Sequence, residues 1–144
     1  MTGQHWSGAG TKSDPWRLKT APLSSEYSIY RDDDTDPQLL VCQVGTTKLT
    51  YLASAVEDLH TELLRRGDWV PLGAADEKKE PAPDSVEAWG RSTDNPVGGW
   101  YGQRAGYRGR FGMYIPPLLE ALGLVELEHN ARGNRVRALP ASAT

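Results

Sequence analysis

Glycine and proline recur so often along this chain that much of its backbone is expected to be turn and loop. The 144 residues include 15 glycines and 10 prolines, and both residue types destabilise the interior of a helix. A predominantly helical bundle is therefore excluded. Because 144 residues are too few for two separate cores of ordinary size, we expect a single domain of the α+β class.

The domain is predicted to span residues 15–139, between flexible tails at 1–14 and 140–144. The first tail is rich in Gly, Ser and Thr, which bury too little surface to offset the entropy lost on ordering. No segment approaches the roughly 18 consecutive apolar residues of a membrane span, and the start has no apolar core of a secretion signal. The one cysteine, Cys42, has no partner for an internal disulfide. We therefore predict a cytoplasmic protein without a membrane partner.

The clearest periodicity predicts a helix at residues 51–66. Its apolar side chains recur at the spacing of one helical face, and they are Leu52, Val56, Leu59 and Leu63. Thr50 is the candidate N-cap, and Gly67 is expected to end the helix in the left-handed conformation.

Shorter elements are predicted on both sides of this helix. An N-terminal β-hairpin at 27–44 would turn at the acidic segment 31–37, and Asp84 with Glu87 has the spacing of a capping box. The later elements are a short strand at 69–72, helices at 85–90 and 116–122, and a β-hairpin at 125–139. The order of helix, short strand, two helices and C-terminal hairpin resembles that of a winged helix.

Four sequence blocks resemble a family of small uncharacterised bacterial proteins with no assigned activity. The blocks are residues 67–73, 86–92, 95–102 and 110–124. The resemblance covers most of residues 15–139, and it implies no reaction or ligand.

The sequence contains no catalytic or metal-binding motif. His5, His60 and His129 lie far apart, outside any zinc-binding or hydrolase spacing. Three aspartates of the acidic segment 31–37 alternate as in a calcium loop, but Pro37 replaces the turn glycine that such a loop needs. We therefore predict no catalytic residue, no metal and no cofactor.

The segment 98–114 is unusual because arginines alternate in it with aromatic residues and glycines. Arginine binds carboxylates and phosphates bidentately, and aromatic rings stack on planar groups. Residues 95–144 carry six arginines against three glutamates, a net charge of +3, whereas residues 1–94 carry 10 basic and 16 acidic residues, a net charge of −6. The candidate binding residues are Trp100, Tyr101, Arg104, Tyr107, Arg108, Arg110, Arg132, Arg135 and Arg137.

Three functions are compatible with this pattern. The first is a non-enzymatic binding module that contacts nucleic acid or another anionic partner through the 98–114 segment and the basic C-terminal hairpin. The second is a small-molecule-binding protein or enzyme that holds a planar anionic ligand under this segment. The third is a homodimeric structural or regulatory protein, paired through strand 39–44 or helix 116–122. A purely structural role predicts that the aromatic rings are packed and that the arginines pair with the acidic segment 31–37.

Overall fold

A computed structural model describes residues 6–140 and has a mixed α+β architecture, as predicted. The N-terminal part is an antiparallel sheet of four strands in the order β1-β2-β3-β4. The strands are β1 (Trp16–Lys19), β2 (Glu26–Asp32), β3 (Leu39–Val44) and β4 (Thr47–Leu52). The sheet is therefore larger than the predicted hairpin, which accounts only for β2 and β3.

Part of the predicted N-terminal tail contacts this sheet. Ser7 forms an antiparallel bridge with Arg17, and the main-chain N–H of Arg31 donates to the carbonyl of Gly10. Residues 1–5 and 141–144 of the predicted tails lie outside the described residues.

The long helix α1 (Ala55–Arg66) begins four residues later than predicted. Leu52 belongs to β4, in which Leu49 and Tyr51 alternate with more exposed residues and face the core. The predicted end is correct, because Gly67 has a φ of 68° and donates its N–H to the carbonyl of Leu63.

The C-terminal part combines short helices with a second antiparallel sheet. Its strands β5 (Val70–Pro71), β6 (Val125–Leu127) and β7 (Arg135–Ala138) are ordered β5-β7-β6, so a C-terminal hairpin is present as predicted. The helices are α2 (Val86–Trp89), α3 (Phe111–Tyr114) and α4 (Pro116–Ala121). Helix α3 was not predicted, because one turn is too short to show a helical period.

One hydrophobic core joins the two sheets and the helices. Two buried tyrosines of the first sheet reach the segment around α3. The hydroxyl of Tyr27 donates to the carbonyl of Tyr114 (2.7 Å), and that of Tyr51 donates to the carbonyl of Gly109 (2.8 Å). Burial raises the pKa of both phenols, so each remains a donor and fixes the segment 109–114 against the sheet.

A fully buried carboxylate, that of Glu87, links α2 to its surroundings. Ser85, rather than the predicted Asp84, caps α2 by accepting the N–H of Ala88. Glu87 therefore does not complete a capping box. Its carboxylate accepts from Arg91 (2.5 Å) and from the main-chain N–H of Gly112 (2.8 Å), which ties α2 to α3.

We predict that Glu87→Ala lowers the free energy of unfolding by about 3–5 kcal/mol, because Arg91 then remains as a largely buried cation without its counter-ion. Urea denaturation followed by circular dichroism measures this change. The matched control is Glu80→Ala, an exposed glutamate of the neighbouring loop, which should change stability by less than about 0.5 kcal/mol. Equal losses for the two variants would contradict the structural role of Glu87.

Candidate functional site

The 98–114 segment lies along the edge of β4. The N–H of Leu52 donates to the carbonyl of Tyr101, and the N–H of Gln103 donates to that of Thr50, both at 2.8 Å. Arg104 donates to the carbonyl of Lys48 at 2.6 Å. These bonds cover a strand edge that would otherwise be open to pairing with another chain.

Neither segment suggested for a homodimer presents the expected surface. Strand β3 is paired on one side with β2 and on the other with β4, so it has no open edge. In α4 the residues from Pro116 to Leu119 are buried, and Leu122 just beyond the helix is the exposed apolar side chain. The edge-pairing prediction for residues 39–44 is therefore wrong.

Two of the three predicted aromatic residues are packed. Tyr101 is fully buried against the rings of Trp89 and Phe111, and its hydroxyl donates to Asp58 at 2.8 Å. Burial and that hydrogen bond raise the pKa of Tyr101. Two guanidinium groups lie over the ring of Trp100, those of Arg91 at 4.5 Å and Arg108 at 4.7 Å.

The third aromatic residue, Tyr107, remains accessible. It is 46% exposed, and the guanidinium of Arg104 lies 4.2 Å from its ring centre. Of the predicted rings, Tyr107 alone is able to contact a ligand through a large exposed surface.

Two arginines of the segment, Arg108 and Arg110, pair with loop 74–80, and none of its three arginines pairs with the acidic segment 31–37. Arg108 donates from Nε and one terminal nitrogen to the two carboxylate oxygens of Glu77, at 3.0 and 3.1 Å, and its main-chain N–H donates to the same group at 2.8 Å. Arg110 donates from Nε to Asp76 at 2.5 Å. These bonds lower the pKa of both carboxyls, that of Glu77 to about 2.

The arginines of the C-terminal hairpin form a separate group. Arg135 pairs with Glu128 and Arg137 with Glu126, both at 2.8 Å, and both guanidinium groups lie over the ring of Trp69. Arg132 is exposed, and within residues 6–140 it has no ion pair. Four of the six arginines therefore form ion pairs, two with loop 74–80 and two within the hairpin, whereas Arg104 contacts the carbonyl of Lys48 and the ring of Tyr107.

The glycines of the segment allow close approach of the chain to itself. A Cβ at position 109 would lie 2.4 Å from the main-chain nitrogen of Glu77, and one at position 112 would lie 2.4 Å from the carbonyl oxygen of Leu72. These two glycines are thus required for packing of loop 74–80 and of the chain that leads into it.

A cleft of about 460 Å³ lies between loop 106–110, loop 74–80 and the turn from β3 to β4. We call it the loop cleft. It is lined by Val44, Thr47, Leu49, Asp76, Glu77, Lys78, Gly106, Tyr107, Gly109, Arg110 and Tyr114. Of the nine candidate binding residues, Tyr107 and Arg110 line this cleft.

A second cleft of about 1020 Å³ adjoins the first and shares Val44, Arg110 and Tyr114 with it. It extends along loop 71–82 to the turn 131–134. Arg110 stands where the two clefts meet, and its backbone is left-handed, with a φ of 62°.

The residues that sequence reasoning missed are the acidic partners. The run 76–80 has the composition of a solvated loop, and no local pattern pairs Asp76 and Glu77 with arginines more than 30 residues away. Arg91 follows Glu87 by four positions, at the end of a short helix. This i,i+4 spacing predicts an ion pair, but it does not predict that the pair is buried.

Within residues 6–140 no cluster of three or more His, Cys, Asp and Glu side chains is arranged to hold a metal ion. No helix in the same range has the length and apolar character that crossing a membrane requires.

We predict that the double variant Arg108→Ala/Arg110→Ala melts at a lower temperature than the wild type at pH 7. The stabilising contribution of Glu77 is fully present above its unfolded pKa near 4.5, and it is lost as the pH falls toward its folded pKa of about 2. The difference in the free energy of unfolding between wild type and variant should therefore become smaller as the pH falls from 5 to 3. Urea denaturation at each pH measures this difference. Arg132→Ala, with no ion pair to lose among the described residues, is the control. A pH-independent difference would contradict the role of Glu77.

Comparison with known proteins places the chain in a family. No curated protein matches it, and no solved structure does. The model of a family of unknown function, DUF6855, matches residues 8–139 and thus includes every helix and strand described above. The four resembling sequence blocks all lie within this range, and the expectation of a family without an assigned activity is confirmed. The chain belongs to the family of unknown function DUF6855.

Proposed function

We propose that this protein binds a small, planar, anionic molecule in the loop cleft. The observation that carries the proposal is the position of Arg110, a half-exposed cation on a strained backbone at the junction of two clefts. The cleft volume of about 460 Å³ lies in the range of small-molecule sites.

The backbone of Arg110 supports a functional role. A left-handed conformation is uncommon for a residue other than glycine, and such strain concentrates at binding and catalytic sites. Here the strained residue points a guanidinium group toward the solvent-filled junction, at 47% side-chain exposure. A glycine would fit the backbone more easily, so the side chain is the reason for an arginine at this position.

The hydrogen-bonding capacity of Arg110 is incompletely used. A guanidinium carries five N–H donors, and the carboxylate of Asp76 accepts from Nε. Hydrogen bonding to Asp76, and to a smaller extent to Tyr114, raises the pKa of Arg110. The guanidinium is therefore a permanent cation beside the cleft. Its remaining donors suit a carboxylate or phosphate oxygen.

The remaining walls suit a flat body attached to that anion. Val44 and Leu49 supply apolar surface, and Tyr107 supplies an accessible aromatic ring. Aromatic groups pack on such surfaces by burying area and by stacking. The anion would thus be fixed by Arg110 and the ring system by the opposite apolar wall.

A nucleic-acid contact through the C-terminal hairpin is a second candidate. It is supported by the order of the elements in residues 55–138, which is helix, strand, helices and hairpin and resembles that of a winged helix. The exposed Arg132 lies in the hairpin turn. The pairing of Arg135 and Arg137 with glutamates removes most of the local positive charge, and therefore we favour the small-molecule ligand.

The first proposal predicts that phenyl phosphate or benzoate perturbs the NMR signals of Tyr107, Arg110 and Tyr114 in a saturable titration. Arg110→Gln should weaken binding at least tenfold, because a charge-assisted hydrogen bond contributes about 1.5–3 kcal/mol. Arg137→Gln is the matched control, since its side chain is 45% exposed and also paired with an acid. Equal affinities of the two variants, or no saturable binding to the wild type, would refute a site at Arg110.

The second candidate predicts retention on heparin and on immobilised duplex DNA at low salt, with retention falling steeply as salt is raised. The triple variant Arg132→Ala/Arg135→Ala/Arg137→Ala should elute earlier than the wild type. Arg17→Ala, an exposed arginine of the N-terminal sheet, should not. Absence of retention even at low salt would exclude this candidate.

A further inference from the structure

We infer that the anion taken by the loop cleft is a carboxylate on a flat body, and that it binds by replacing Asp76 at Arg110. The inference rests on the proposed function of the cleft and names its ligand class and its internal competitor.

The contact between Asp76 and Arg110 is the weaker of the two ion pairs on loop 74–80. It consists of one hydrogen bond, and its side chains are 57% and 47% exposed. By contrast, Glu77 is only 14% exposed and accepts three hydrogen bonds from Arg108. Because exposed ion pairs contribute little net stability, Asp76 is released from its arginine far more easily than Glu77.

Release of Asp76 does not require loop 74–80 to move. Arg91 donates to the main-chain carbonyls of Ala75, Asp76, Glu77 and Lys79. The main-chain N–H of Arg110 also donates to the carbonyl of Ala75 at 2.8 Å. Since these bonds hold the backbone, rotation of the Asp76 side chain is sufficient to release the Arg110 guanidinium from its carboxylate.

The chemical group that Asp76 presents to Arg110 indicates the ligand that replaces it. A carboxylate of the ligand restores the same charge-assisted hydrogen bond in the same surroundings. The charged residues that line the cleft are Asp76, Glu77, Lys78 and Arg110, and their formal charges cancel. A phosphate dianion would add a second negative charge beside Glu77 and the displaced Asp76, so the monoanionic carboxylate is favoured.

The apolar and aromatic residues that line the cleft determine the shape of the apolar group that a ligand can carry. Val44 and Leu49 lie on strands β3 and β4, and Tyr107 lies on the loop across the cleft. An aryl carboxylate combines a flat apolar ring with the required anion. Benzoate is the simplest probe of this class, and benzamide is its neutral analogue of equal shape.

The test compares NMR titrations of the full chain with benzoate, benzamide and phenyl phosphate. Asp76→Asn removes the competing charge and nearly preserves the side-chain volume. It should bind benzoate about two- to fivefold more tightly than the wild type, which is the effect of removing one exposed ion pair. Glu80→Gln, which neutralises an exposed carboxylate of the same loop that does not line the loop cleft, should bind benzoate as the wild type does. Benzamide should bind neither variant measurably.

The possible failures are distinguishable from one another. Equal benzoate affinity of wild type and Asp76→Asn, with loss of binding in Arg110→Gln, would overturn the exchange with Asp76 and leave the cleft as an anion site. Tighter binding of phenyl phosphate than of benzoate would overturn the carboxylate class. Lack of saturable binding of any probe to either the wild type or Asp76→Asn would overturn the proposed function, and the inference with it. Thermal denaturation of each variant establishes that it is folded.

Discussion

The buried ion pair of Glu87 and Arg91 is the interaction on which the candidate site depends. A carboxylate with no solvent exposure is stable only when it is fully compensated, and here Arg91 and the N–H of Gly112 supply that compensation. Arg91 also donates from its two terminal nitrogens to the main-chain carbonyls of loop 74–80. One buried charge thus fixes a loop that has no regular secondary structure of its own, and this loop carries the acidic residues that face the arginines.

From that pair, contacts lead outward to the surface through Trp100. Its ring contacts both Arg91, which pairs with buried Glu87, and Arg108, which pairs with the more exposed Glu77. The side chain of Arg108 is therefore held by a ring and by a carboxylate. Arg110, two residues farther along, has one carboxylate contact and greater exposure. Two neighbouring arginines therefore have different roles, one in holding the loop and one in facing the cleft.

Local patterns in the sequence predict the elements that local forces determine. The end of α1 at Gly67 follows from its left-handed backbone, and the C-terminal hairpin follows from alternating residues around a turn. The start of α1 is mispredicted because Leu52 fits a helical face as well as a strand, and only pairing with β3 decides between them. Helix α3 and strand β1 are too short to give a reliable period.

The candidate site is much less predictable, because its partners are distant in sequence. The composition of the segment 98–114 is visible in the sequence, but the pairing of Arg108 and Arg110 with Glu77 and Asp76 spans more than 30 residues. The space beside Gly109 and Gly112 is occupied by main-chain atoms of residues 72–77, a contact that the sequence pattern does not predict. The property that distinguishes Arg110 is its left-handed backbone, which no composition reveals. The residue type thus shows which chemical groups are available, and tertiary packing determines which of these arginines faces the cleft.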